Sequence, residues 1–152
     1  MKFFAILCLL CVAFASKATI KDCGSASTLL RFQNITVGDV IPGSTTSLVL
    51  GKTNFTGTIA AGSTFFYGTL NGSSLGDPVE ICLCGECDGQ FAFGLGKVHY
   101  AGPQCPVAKI WPETIISIKF PLILVPGSYV IEARSVTEDG DEAFCVNFLW
   151  TN

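Results

Sequence analysis

Cysteines, one histidine and a cluster of carboxylates are the residues of this chain that could do chemistry. Cys82, Cys84 and Cys87 stand in a C-x-C-x-x-C spacing, with His99 and Cys105 downstream. Thiolate and imidazole groups in such a set are soft ligands that can hold zinc. The same cysteines can instead pair as disulfides, and the choice depends on the compartment. A nucleophile of the Ser-His or Cys-His kind needs a base and an orienting partner. His99 is the only histidine, and it lies between Val98 and Tyr100, where it reads as a polar residue on a strand. Glu138, Asp139, Asp141 and Glu142 surround Gly140, which makes them a solvated acidic turn. Two-carboxylate catalysis needs a cleft between the acids. No enzyme is expected, and neither a metal nor another cofactor.

The N-terminus decides the compartment. Lys2 supplies a positive start, Phe3 to Phe14 form an apolar run, and Ala13-Phe14-Ala15 offers small residues to a signal peptidase. The pattern predicts a secretory signal over residues 1–15, too short to span roughly 30 Å of hydrocarbon as a helix. Cleavage after Ala15 removes 15 of the 152 residues and one of the 9 basic ones, leaving 8 basic against 12 acidic. Cys8 and Cys11 leave with the signal. Cys23, Cys82, Cys84, Cys87, Cys105 and Cys145 remain, an even set in an oxidising lumen, so three disulfides are expected in place of a metal. A Cys82–Cys84 bridge has the least room for relaxed geometry. Cys84 with Cys87 and Cys82 with Cys105 is the preferred pairing of the cluster. Sequons at Asn34, Asn54 and Asn71 predict glycosylated, exposed backbone and fit a secreted or lysosomal (vacuolar) protein.

Composition excludes other classes. A hydrophobic fraction of 49% with only 14% charge, and 12 Phe, 3 Tyr and 2 Trp, is enough to bury a core and argues against disorder. A net charge of −3 without any Lys/Arg run removes the electrostatic footprint of a nucleic-acid binder or a polybasic membrane-surface protein.

The elements that must position these residues read as strands. Helix signals are nearly absent, and 16 Gly and 7 Pro punctuate segments rich in Val, Ile, Thr and Phe. Strands are expected over 28–37, 46–50, 53–60, 64–70, 79–82, 91–98, 114–122, 127–137 and 143–150. Turns are expected at Pro42-Gly43, Ala61-Gly62, Asn71-Gly72, Pro126-Gly127 and Asp139-Gly140. One domain over 16–152, an antiparallel sandwich or barrel, follows. Trp111-Pro112, Ile115-Ile116 and the run Phe120 to Val125 put large apolar groups on consecutive positions. With a period of two, such residues face both sides of a strand, so some must meet a second layer, either protein or ligand.

Several strings occur in a telling order. Asp22-Cys23-Gly24-Ser25 opens the domain, and Thr53-Asn54-Phe55-Thr56-Gly57-Thr58-Ile59 precedes Gly62-Ser63. Cys105-Pro106-Val107-Ala108 follows, then Pro126-Gly127-Ser128-Tyr129, an acidic turn and Cys145-Val146-Asn147-Phe148. In this order the chain resembles the ML family of secreted lipid-recognition domains, which includes phosphatidylglycerol/phosphatidylinositol transfer proteins and Niemann-Pick-type sterol-transfer proteins. The resemblance implies an all-β, immunoglobulin-like sandwich with an apolar cavity between its sheets, and a Cys23–Cys145 bridge. It also implies binding and transfer of a phospholipid or sterol by a monomer, with transient membrane contact. The alternative role is presentation of lipid to a receptor or lipid-processing enzyme. The family's cavity mouth maps onto Val107, Trp111, Pro112 and Ile115, and, across the sandwich, Phe65, Phe66, Phe120 and Tyr129. The cluster from Cys82 to Cys87 and the stretch 91–102 depart from the family pattern, so the resemblance implies no pairing there.

Overall fold

Alternation builds this fold, and β12 (Ser128–Thr137) displays it fully. Tyr129, Ile131, Ala133, Ser135 and Thr137 are buried, while the residues between them point outward. The structure is a computed structural model that describes residues 15–152. Residues 1–14, with Cys8, Cys11 and nearly all of the expected signal, lie outside the described residues. β12 pairs with β13 (Glu142–Thr151) across the Asp139-Gly140 turn and, on its other side, with β5 (Gly62–Leu70). β1 (Thr19–Asp22) borders β13, and β6 (Ser73–Ser74) and β7 (Val79–Cys82) border β5, giving an antiparallel six-stranded sheet. The facing sheet has five antiparallel strands: β2 (Ile35–Val37), β3 (Thr45–Leu50), β11 (Thr114–Lys119), β9 (Lys97–Ala101) and β8 (Glu86–Gln90), in that order. The two sheets form an immunoglobulin-like sandwich.

Leu50, Tyr100 and Ile116 from one sheet meet Phe66, Ile131 and Phe144 from the other. Inside, the hydroxyls of Thr64 and Ser135 satisfy one another at 2.8 Å, and Tyr100 donates to the Leu83 carbonyl at 2.7 Å. Buried polar groups need such partners. Burial pushes the Tyr100 phenol far above its ordinary value, and a hydrogen bond with Thr114 offsets part of that.

The two ends of the sandwich differ. At one end lie Leu50, Ala101 and Thr114 of the five-stranded sheet and Gly62, Cys82 and Thr137 of the other. A separate ribbon connects the sheets here, made of β4 (Thr53–Ile59) and β10 (Val107–Trp111). Its buried side chains, Ile59 and Trp111, are completely covered. At the opposite end, β11 passes into β12 through the loop 120–127.

Differences from the sequence expectation have local causes. The stretch 28–37 is a strand only at Ile35–Val37. Before that, Leu29 and Leu30 donate to the carbonyls of Glu142 and Ala143 and lie over the start of β13. Their cover explains why Ala143 to Val146 are all buried and alternation fails there. The 91–98 stretch is a 3-10 turn at Ala92–Gly94 followed by β9. Gly94 and Gly96 have φ of 73° and 110°, and a Cβ on Gly96 would fall on the Lys119 carbonyl. β1, β6, β8 and β10 were not expected. β8 (Glu-Cys-Asp-Gly-Gln) lacks strand formers and is held by its partner β9, an override of propensity by tertiary pairing.

Candidate functional site

The residues with chemical potential are occupied. Cys23 bonds Cys145, Cys82 bonds Cys87 and Cys84 bonds Cys105. The first bridge, implied by the family resemblance, ties the chain next to β1 to β13. The other two correct the preferred pairing of Cys84 with Cys87 and Cys82 with Cys105. Buried Leu83 and the turn at Gly85 (φ 83°) fold the chain from one sheet to the other, so Cys82 on β7 meets Cys87 on β8, with Cα atoms 6.0 Å apart. Cys84 then projects from the turn toward the 102–105 loop, where Gly85 donates to the Pro103 carbonyl and Gly102 to the Gly85 carbonyl. Cys23 and Cys145 also lie beside Glu132, but their sulfurs are bonded to each other.

His99 bonds Asp88 through Nδ1 at 2.9 Å on an exposed strand face. The acidic turn disperses its carboxylates. Glu138 accepts from the Ala60 and Ala61 N–H groups, and Glu142 accepts from the Thr28 hydroxyl and Arg134. Hydrogen bonds from backbone N–H groups, its own first, hold the Glu138 carboxyl below the usual range. Gly72-Ser73-Ser74-Leu75-Gly76 spells a nucleophile elbow, a string expected to be absent from this sequence. Its serines sit on a two-residue edge strand, and Ser74 bonds the backbone of Gly76. The strand-to-helix turn that such an elbow needs is not there.

The apolar candidates divide by face and by end. Phe66 is buried against Phe91, with ring centroids 6.1 Å apart, whereas its neighbour Phe65 points to the outer face. Ile115 likewise faces outward, opposite buried Ile116, and Pro112 is exposed. Val107 is partly buried. Trp111 is fully buried, donates from Nε1 to the Thr114 hydroxyl at 2.9 Å and meets Phe55 edge to face. It plugs the ribbon end, which corrects its placement on a rim. Phe120 and Tyr129 lie at the opposite end, in an aromatic cluster with Phe148 and Trp150. Tyr129 stacks on Trp150 at 4.7 Å, and Phe120 meets Trp150 edge to face at 5.1 Å. The Trp150 indole N–H is buried there without a hydrogen-bond partner. Burial raises the Tyr129 phenol, whose hydroxyl donates to the Val125 carbonyl.

Beside this cluster is a cleft of about 90 Å³ whose walls include Leu70, Leu75, Leu95, Pro121, Ile123 and Tyr129. A model of the ML domain matches residues 17–151. The chain belongs to the ML-domain family. Among curated proteins nothing matches. A crystal structure of a Niemann-Pick type C2 protein from Japanese carpenter ant is similar, with a TM-score of 0.56 at 18% identity, over 86% of this chain and 96% of that one. At that identity the likeness concerns the fold.

In this ML domain all three disulfides lie in the half of the sandwich toward the ribbon end. Cys82–Cys87 joins the two sheets there, and the Cα partner of Cys145 is Arg134, three residues from the end of β12. The loop end carries no disulfide among the described residues. The sequons are exposed, and Asn34 and Asn54 share a polar groove with Arg31 and Lys52 at the ribbon end. Asn71 sits in a turn and accepts from the Ser128 N–H through Oδ1. Phe148, Trp150 and Leu124 were missed as site candidates, although the consecutive apolar run 120–125 marked this region.

Proposed function

We propose that the protein binds a phospholipid or sterol by its apolar part, between the sheets at the loop end, and transfers it between membranes without catalysis. The observation that carries this reading is the contrast between the ends. One end is closed by a ribbon, the Trp111 plug and an inter-sheet disulfide. The other holds an apolar cleft, walled by leucines and Tyr129, beneath a loop with no covalent staple. Ligand pockets run to roughly 300 Å³ and above, so the sheets must part at the loop end to admit a lipid. The buried Trp150 N–H would then meet a sterol hydroxyl or an ester oxygen. Each buried CH₂ contributes about 0.8 kcal/mol, so a long acyl chain supplies ample affinity once ordering costs are met.

Family membership supports the lipid, and the disulfides and exposed sequons support a secreted or lysosomal setting for a glycosylated monomer whose domain spans 16–152 after loss of the signal. Engagement of all six cysteines among the described residues and the exposed position of His99 support a non-enzymatic role. A second reading, presentation of the lipid to a protein partner, draws on the exposed apolar loop. Transfer of fluorescent phospholipid and sterol between donor and acceptor vesicles tests both. Transfer by the purified protein supports the first reading. Binding with transfer only when a partner is added supports the second, and absence of both binding and transfer overturns the proposal.

A further inference from the structure

The loop 120–127 has a composition that a water-facing loop ordinarily avoids. Leu122 and Ile123 are 83% and 84% exposed and Val125 is 60% exposed, while Leu124 between them is buried. Ile41 adds to the same tip. Leu122 lies across the neighbouring Pro42-Gly43 turn, where a Cβ on Gly43 would come within 2.6 Å of its Cδ2.

The loop is also fixed in place. Gly43 donates to the Pro121 carbonyl, Asn152 Nδ2 to that of Leu124 and the Tyr129 hydroxyl to that of Val125. The apolar side chains are therefore presented outward by a pinned backbone, and their insertion into another phase requires little further ordering.

Charge around this tip is mainly basic. Lys97 and Lys119 are exposed register partners at the loop end of β9 and β11, and exposed Lys17 lies beside Ser128 and Thr151. Among the described residues Asp39 is the acidic side chain in the loops of this end, and Asp77 lies further along the sheet edge. Glu86, Glu113, Glu138, Asp139, Asp141 and Glu142 gather at the ribbon end. An acidic protein thus carries a basic, apolar pole.

We propose that this pole docks on an anionic lipid surface, with Leu122, Ile123 and Val125 entering the acyl boundary and Lys17, Lys97 and Lys119 facing the headgroups. The inference rests on the lipid-transfer reading and names the surface through which transfer takes place. Apolar insertion and basic residues act together at such interfaces. Docking would also place the mouth of the cleft against the bilayer, since Pro121, Ile123 and Val125 line it.

Co-sedimentation of the full mature protein with vesicles tests the proposal, comparing pure phosphatidylcholine with phosphatidylcholine containing phosphatidylserine. Wild type should prefer the anionic vesicles, and added salt should weaken that preference. L122S/I123S should lower partitioning about tenfold or more. K97Q/K119Q should lower it on anionic vesicles alone, by about fivefold per lysine. Binding of a soluble fluorescent fatty acid or sterol, measured without vesicles, should be unchanged in K97Q/K119Q, whose lysines lie outside the cleft. Loss of soluble-ligand binding by wild type would overturn the lipid-transfer reading. Vesicle binding by L122S/I123S equal to wild type would overturn the docking pole while leaving that reading intact. Equal binding of wild type to both vesicle types would overturn the anionic choice. Self-association that disappears in L122S/I123S, without vesicle binding, would assign the tip to a second copy and overturn the membrane.

Discussion

Replacing Trp111 by Ala separates a core plug from a ligand rim. The ring is completely buried, meets Phe55 edge to face at 6.4 Å and donates to Thr114, which is itself fully buried. A buried aromatic removes about 150–250 Å² from water. At roughly 25 cal/mol per Å² that corresponds to about 4–6 kcal/mol. Measured truncations of buried aromatics cost about 3–5 kcal/mol because the site partly collapses. We expect W111A to lose about 3–5 kcal/mol. W111F, which keeps most of the ring and removes the N–H, should lose about 1–2 kcal/mol, near the range for one buried hydrogen bond. Urea denaturation of the lipid-free protein with disulfides intact measures both. For a domain of this size the larger loss lowers Tm by roughly 10–20 °C. A W111A loss of about 1 kcal/mol or less would refute the plug and return Trp111 to a water-facing rim.

Other consequences are equally open to test. Peptide mapping under non-reducing conditions should recover Cys82–Cys87, Cys84–Cys105 and Cys23–Cys145, and a Cys84–Cys87 peptide would contradict the turn geometry. Removing Cys23–Cys145, whose partners are 122 residues apart, should cost up to about 4–5 kcal/mol in the chain-entropy model. Because the folded pKa of Glu138 is depressed, its contribution is present above the unfolded value near 4.5 and is lost as pH falls through the folded value. E138Q should therefore flatten the acid limb of the stability-against-pH curve relative to wild type, and an unchanged limb would remove Glu138 from that account. W150F preserves the stack on Tyr129 but removes the unpartnered N–H. It should weaken a sterol more than the corresponding hydrocarbon, and equal weakening would deny the N–H a role in recognition.

Much of the fold was legible because period-two patterning is strong where a strand has one dry face. β3, β5, β11 and β12 follow it, as does β13 only in its second half, and the order of motifs supplied the family. The unread strands β1, β6 and β8 are edge elements, two to five residues long, held by pairing that single-strand propensity does not encode. β10 contains Lys109 at φ 67° and a register shift opposite β4, which breaks its pattern. The site was legible in composition but not in position. The run 120–125 signalled excess apolar surface, yet which end of the sandwich it occupies depends on how β11 crosses into β12. Phe65 was placed at the cavity mouth together with its neighbour Phe66, although adjacent strand residues must part to opposite faces, and Ile115 was placed there although it faces outward beside buried Ile116. Pairing within the Cys82–Cys105 cluster depended on the turn at Gly85, which carries the chain between sheets and leaves no periodic trace.

The two tryptophans occupy the two ends of the sandwich, so they report directly on where a lipid sits. The decisive measurement is fluorescence quenching by a phospholipid brominated in its acyl chain, loaded into W111F, which retains Trp150, and into W150F, which retains Trp111. The account predicts strong quenching of Trp150 at the loop end and little quenching of Trp111 behind the ribbon. Quenching confined to Trp111, or none at either residue with lipid present in excess, would contradict it.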